Sequence, residues 1–154
     1  MDQVDREILL LLQRDASLTA RELAEHVGLT PTPCWRRVQN LEAAGVITGR
    51  VALVDPASVN LDVTALVQIR TNDHSAEWLA EFAAAIDTLP EIVEAYRTSG
   101  ETDYMLRVVV PSIDAYDGFY KRLIDAVDLY DVRSVFVMER MKQTTALPLT
   151  YLDD

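Results

Sequence analysis

At 154 residues with 49% apolar side chains, the chain has room for one ordinary domain or two small ones, and enough core material to exclude disorder. No apolar run approaches the ~20 residues that span a bilayer, and the opening MDQVDRE has no signal-peptide pattern, so a cytoplasmic setting without a membrane partner is expected. The net charge of −11 counts against nucleic acid until it is divided: residues 1–50 hold six Arg against seven acidic residues, net −1, and residues 51–154 hold eight basic against eighteen acidic, net −10.

The first predicted helix starts at Asp2 as N-cap and places Val4, Ile8, Leu11 and Leu12 at near-3.6 spacing, ending near Arg14. A second starts at Thr19, with Glu22 three residues on as a capping box, and turns Leu23, Ala24 and Val27 to one side. Gly28 then supplies a sharp turn where positive φ is cheap only for glycine. The third helix takes Thr30 as cap and prolines in its first turn, where a missing N–H costs nothing. Cys34, Val38 and Leu41 face inward at i, i+4, i+7. Thr32, Trp35, Arg36, Gln39 and Asn40 are left pointing outward. An ordinary solvated helix carries Glu and Lys there; this one carries a cation, two amides and a tryptophan.

Two short helices around a glycine turn form a helix-turn-helix, whose second helix enters the DNA major groove. On that frame Thr30, Thr32, Trp35, Arg36, Arg37, Gln39 and Asn40 are candidate contacts to double-stranded DNA. The alternatives are a solvated edge for the arginine pair and a core position for Trp35. Cys34, the only cysteine, excludes an intrachain disulfide and reads as a small core residue. Val46 to Val54 alternates as a short strand leaving this unit. Arg50 within it either touches backbone phosphate or is simply exposed, and Asp55-Pro56 marks the break.

From residue 61 the period changes to two. Val63, Ala65, Val67 and Ile69 form one side of a strand. Ser75 caps a helix with Trp78, Leu79, Phe82, Ala83 and Ile86 as its stripe. Ile92–Thr98 and Asp103–Val110 are two more strands around Ser99-Gly100-Glu101-Thr102. A helix from Pro111-Ser112 turns Ile113, Tyr116, Tyr120, Leu123, Ile124 and Val127 inward, and Val132–Met141 is the fourth strand. The order βαββαβ is that of the ferredoxin-like fold. The fold class is therefore α+β: a helix-turn-helix (winged-helix-like) domain over 1–50, a strand and linker over 51–60, and a ferredoxin-like domain over 61–154. Strands three and four carry apolar residues on both sides, so the uncovered sheet face calls for a second copy. A homodimer would set two reading helices roughly 34 Å apart on a palindromic site.

The chain resembles the leucine-responsive/AsnC (feast/famine) family of transcription regulators. DREILLLLQ, ARELAEHVGL, RRVQNLEAAGVI and SGETDYMLRVVV carry the resemblance over nearly the whole length. It implies an amino-acid-sensing second domain, dimers that assemble further into octamers, and a small effector between dimers near the hairpin. No cofactor other than that amino-acid effector is implied. On this chain the effector site falls at Thr98, Ser99, Gly100, Glu101, Thr102, Asp103 and Tyr104. TPCWRR, YKRL and QTTALPL resemble the branch that senses sulfur amino acids.

The hairpin has its own physical logic. Gly100 permits an unusual backbone and leaves N–H groups to meet a carboxylate, and Asp103 or Glu101 suits an α-ammonium. Alternatively Gly100 only makes the turn and Asp103 caps it. Thr144 and Thr145 either add hydroxyls to the same cleft or belong to a tail packed on another subunit. Catalysis finds little support: His26 and His74 lie in different domains, and neither metal-ligand spacing nor a phosphate-cradling glycine loop occurs. The rivals to a regulator are a ferredoxin-like dimeric enzyme acting on a small molecule, which leaves residues 1–50 unexplained, and an amino-acid sensor without DNA binding.

Overall fold

A computed structural model of the chain describes residues 1–152. Its contacts divide into two compact units, Met1–Leu53 with the tail from Lys142, and Val54–Met141. The tail, expected with the second domain, groups instead with the first; Asp153 and Asp154 of the expected 61–154 domain lie outside the described residues.

In the first unit α1 (Gln3–Leu12) and α2 (Ala20–Val27) both begin in capping boxes: Asp2 with Asp5, and Thr19 with Glu22. Each box satisfies two backbone donors that a helix start leaves orphaned. Gly28 ends α2 in the left-handed region, φ 68°, and its chain turns directly into α3 (Pro31–Ala43). Thr30 occupies the N-cap position, but its side chain makes no cap bond; proline in the first turn does the work of starting α3. The core is Ile8, Leu9, Leu23, Ala24, Cys34, Val38 and Leu41, with Leu149 of the tail packed against it. Gln13 clasps the tail at Leu147, accepting its N–H at 2.6 Å and donating to its carbonyl at 3.3 Å.

The strand expected over Val46–Val54 does not form. Val51, Leu53 and Val54 are 80%, 69% and 63% exposed, and no strand pairs with this segment among the described residues. Alternation alone cannot make a strand without a neighbour to take its ladder bonds.

The second unit is a four-stranded antiparallel sheet in the order β2-β3-β1-β4, the ferredoxin-like order. Its elements are β1 (Val63–Arg70), α4 (Ala76–Thr88), β2 (Ile92–Arg97), β3 (Tyr104–Val110), α5 (Ile113–Ala126) and β4 (Asp131–Phe136). Ser75 and Ser112 cap the two helices through their hydroxyls. Ala65, Val67 and Ile69 from β1 and Leu106, Val108 and Val110 from β3 share one buried cluster with Trp78, Phe82, Phe119 and Leu123. Both helices therefore cover the same sheet face.

Several expected positions shift. On α4 the buried line is Trp78, Phe82 and Ala85, continuing to Leu89, whereas Leu79 is 42% exposed and Ala83 also faces out. On α5 Phe119 is fully buried, although the expected stripe omits it; Ile113 and Ile124 are exposed. β4 stops at Phe136 rather than Met141, and Met138 and Met141 are almost fully exposed. The register with β1 ends at Phe136 opposite Ala65, followed by one last backbone bond from the Val137 N–H to the Thr64 carbonyl at 2.9 Å. The uncovered sheet face is mixed rather than apolar. Leu66 lies opposite Arg107 and Val135, and Gln68 opposite Met105 and Arg133. Arg107 pairs with Glu94 at 2.7 Å there.

Candidate functional site

Burial of Cys34, Val38 and Leu41 fixes the rotation of α3, because side chains of one helix are rigidly phased. Thr32, Arg36 and Gln39 then lie along the middle of its exposed side. Asn40 is exposed on one flank and Trp35 on the other, 38% exposed. Arg36 has no ion-pair or hydrogen-bond partner among the described residues. A cavity of about 580 Å³ opens on the Asn40 flank, lined by Met1, Asp5, Pro33, Arg36, Arg37 and Asn40.

The neighbouring arginine differs. Arg37 Nη1 reaches back to the start of α1 and donates to Asp2 Oδ2 and Asp5 Oδ1, both at 2.7 Å. Arg36 and Arg37, adjacent in sequence, are thus separated by about a quarter turn into a free cation and an inter-helix clamp. The Asp5 N–H first, and the Arg37 guanidinium second, hold the Asp2 carboxyl below its usual range. On the Trp35 flank, Arg50 Nη2 donates to Glu42 Oε1 at 2.8 Å, while its guanidinium carbon sits 5.7 Å from the Trp35 ring centroid. Asp2, Asp5 and Glu42 were not anticipated as partners of this site. The capping pattern showed Asp2 only as a cap, and nothing local joins Asp5 to Arg37 or Glu42 to Arg50. Burial pushes the Cys34 thiol up, which suits a core residue and not a nucleophile.

In the second unit the hairpin between β2 and β3 closes largely on itself. Thr98 N–H donates to the Asp103 carbonyl at 2.8 Å, and the Thr98 hydroxyl donates to the Thr102 carbonyl. Asp103 N–H donates to the Ile69 carbonyl at 3.0 Å, and Asp103 Oδ2 accepts the Thr71 N–H at 2.9 Å. Thr71 is buried, so that carboxylate satisfies a backbone group which water scarcely reaches. Gly100 has φ 110°, and Ser99, Gly100 and Glu101 are exposed with no share in these bonds.

Tyr104 is not at the rim with them. It is 8% exposed, with its ring 4.6 Å from Phe82 and 5.6 Å from Trp78. Period-two alternation explains this, since Tyr104 shares the buried parity of Leu106 and Val108. Thr144 and Thr145 are exposed on the tail that groups with the first unit, and Thr144 accepts the Ala146 N–H at 3.1 Å. Among the described residues no cluster of three or more His, Cys, Asp or Glu side chains could hold a metal ion.

Two family models match the chain, the second of them extending into the tail that groups with the first unit. A winged helix-turn-helix DNA-binding model matches residues 1–48, and an Lrp/AsnC ligand-binding-domain model matches residues 64–147. The chain belongs to the Lrp/AsnC family. It is a DNA-binding transcription regulator with a C-terminal ligand-binding domain. Among its Lrp/AsnC relatives, the DNA-binding transcriptional activator DecR of Escherichia coli (strain K12) is 47% identical over 97% of this chain and 99% of its own length. An AsnC family transcriptional regulator from Agrobacterium tumefaciens shares 55% identity with a TM-score of 0.95, covering 99% of both chains. A transcriptional regulator from Neisseria meningitidis, solved as an L-Met complex, shares 36% identity with a TM-score of 0.93 over 97% of both.

Proposed function

We propose that α3 reads a specific DNA site in the major groove through Thr32, Trp35, Arg36, Gln39 and Asn40, with Arg50 at a phosphate and Arg37 holding the helix in place. The observation that carries this reading is the exposed side of α3: it presents a cation without a partner among the described residues, two amides and an aromatic ring on a helix whose other side is sealed. Arg to guanine and Asn or Gln to adenine are the pairings that such a face offers.

An amino acid is the effector. Its carboxylate meets the N–H groups of Ser99, Gly100 and Glu101, and its ammonium meets Glu101 or the second oxygen of Asp103. Tyr104 serves as packed floor rather than contact. The L-Met complex of the Neisseria relative makes methionine the first candidate. The chain acts in the cytoplasm as a homodimer that assembles to an octamer, and it carries no catalytic activity. Effector binding shifts the balance between assembly states of different operator affinity.

The test has two arms. In a mobility-shift assay the protein should retard the DNA upstream of its own gene, with a response to amino acids. Thermal denaturation against the twenty amino acids should show a rise for the effector, because a ligand specific to the folded state stabilises it by mass action. Retardation without any thermal shift would remove the effector half; a thermal shift without retardation would leave a sensor that does not bind DNA.

A further inference from the structure

We propose that Glu42 is an internal competitor for DNA: its carboxylate occupies the guanidinium of Arg50 in the free protein, and binding exchanges it for a backbone phosphate. This rests on the reading of α3 as the DNA-contacting helix. Trp35 and Glu42 are seven residues apart, two turns along the same flank of α3, and Arg50 spans both. Its guanidinium lies 5.7 Å from the indole centroid, and one Nη donates to Glu42 at 2.8 Å. A guanidinium has five N–H donors in a fixed fork, so most of this one remains available.

The ring and the carboxylate therefore hold a cation flat against the side of the reading helix. Both side chains of the ion pair stay partly exposed, 31% for Arg50 and 40% for Glu42. An exposed pair of this kind is weak and screened by salt, hence readily exchanged. A phosphate is the natural replacement, because it accepts the same planar fork as a carboxylate. The swap also carries a cost that no base contact would show. Until DNA arrives, Glu42 neutralises one of the few cations in a unit that is acidic overall, and on the complex its charge faces the phosphates unpaired. Glu42 so lowers the affinity of the protein for every sequence alike, leaving discrimination to Arg36, Gln39 and Asn40.

The experiment measures binding of the full chain by mobility shift to two duplexes, the DNA upstream of its own gene and an unrelated sequence of equal length, at several salt concentrations. Glu42→Gln should bind both about two- to fivefold more tightly, the scale of an exposed ion pair. Arg50→Met should weaken both and lower the salt slope by about 0.9, one phosphate contact. The decisive variant is the double one. If Glu42 acts through Arg50, the Glu42→Gln gain largely disappears in the Arg50→Met background, a non-additivity expected only of groups in contact.

Glu42→Gln giving no gain, or the same gain with and without Arg50, would overturn the exchange. The second result would make Glu42 a plain long-range repulsion. Circular dichroism melting of each variant separates a folding defect from a binding one, and Arg50→Lys supplies a variant that keeps charge without the planar fork. If the unaltered protein retards neither duplex, the α3 reading falls along with this one; if it retards them and the double variant behaves additively, only the exchange falls.

Discussion

The exposed side of α3 and the hairpin at 98–103 are both short, polar and solvent-facing, yet they use their polar groups differently. The interior of α3 satisfies its backbone through its own ladder, so the side chains on its outer face remain available. The hairpin has no ladder at its tip. Thr98 and Asp103 supply the missing partners, closing the turn and holding the buried Thr71 N–H. A polar side chain on a helix is therefore stronger evidence for a ligand than the same side chain in a loop, where the backbone has first claim on it.

Substitutions at four positions test that contrast, taken from the largest expected effect downward. Tyr104→Ala should destabilise the second unit by about 3–5 kcal/mol, as removal of a packed aromatic does, whereas Tyr104→Phe should leave thermal stability close to the parent. An Ala variant with unchanged melting but no effector response would put Tyr104 back in the binding site. Asp103→Ala should cost about 1–3 kcal/mol of stability, because the Thr71 N–H loses its acceptor. Any loss of effector response then arrives together with a lower melting temperature; loss of response alone would show that the carboxylate serves only the ligand.

Arg36→Ala reverses the pattern. It should leave melting unchanged and weaken operator binding by about 1–3 kcal/mol, more on the operator than on unrelated DNA. An equal loss on both duplexes would reduce Arg36 to a phosphate contact.

The smallest effect belongs to the clamp between α1 and α3, an ion pair at the surface. The folded Asp2 carboxyl is held below its ordinary value of 3.8, by the Asp5 N–H and then by Arg37. Its contribution is thus fully present above that value and is lost as the pH falls through the lower, folded one. Acid titration of the parent should show a small loss of helix stability below about pH 4 that Asp2→Asn removes. An identical acid profile in the two proteins would exclude the clamp as its cause.

Much of the architecture can be read along the chain, because it depends on local rules. Capping residues at Asp2, Thr19, Ser75 and Ser112, glycine at position 28 and the switch of period near residue 61 each act on neighbours within a few residues. The outward side of α3 follows from the same logic, since a buried Cys34–Val38–Leu41 line leaves only one set of positions for solvent. Pairing over long distance is different in kind. Nothing near Arg37 announces Asp2 and Asp5, thirty-odd positions earlier, or near Arg50 announces Glu42. The same holds for Thr71 and Asp103, which meet only because β1 and β3 are adjacent in the sheet. The alternating run at 46–54 fails for a related reason: a strand is a relation between two segments, and the partner segment is not encoded in the first. Local chemistry thus settled where the helices begin and which way they face. The three-dimensional packing settled which charges are already engaged, because an ion pair is defined by a distance that the linear order of residues does not contain.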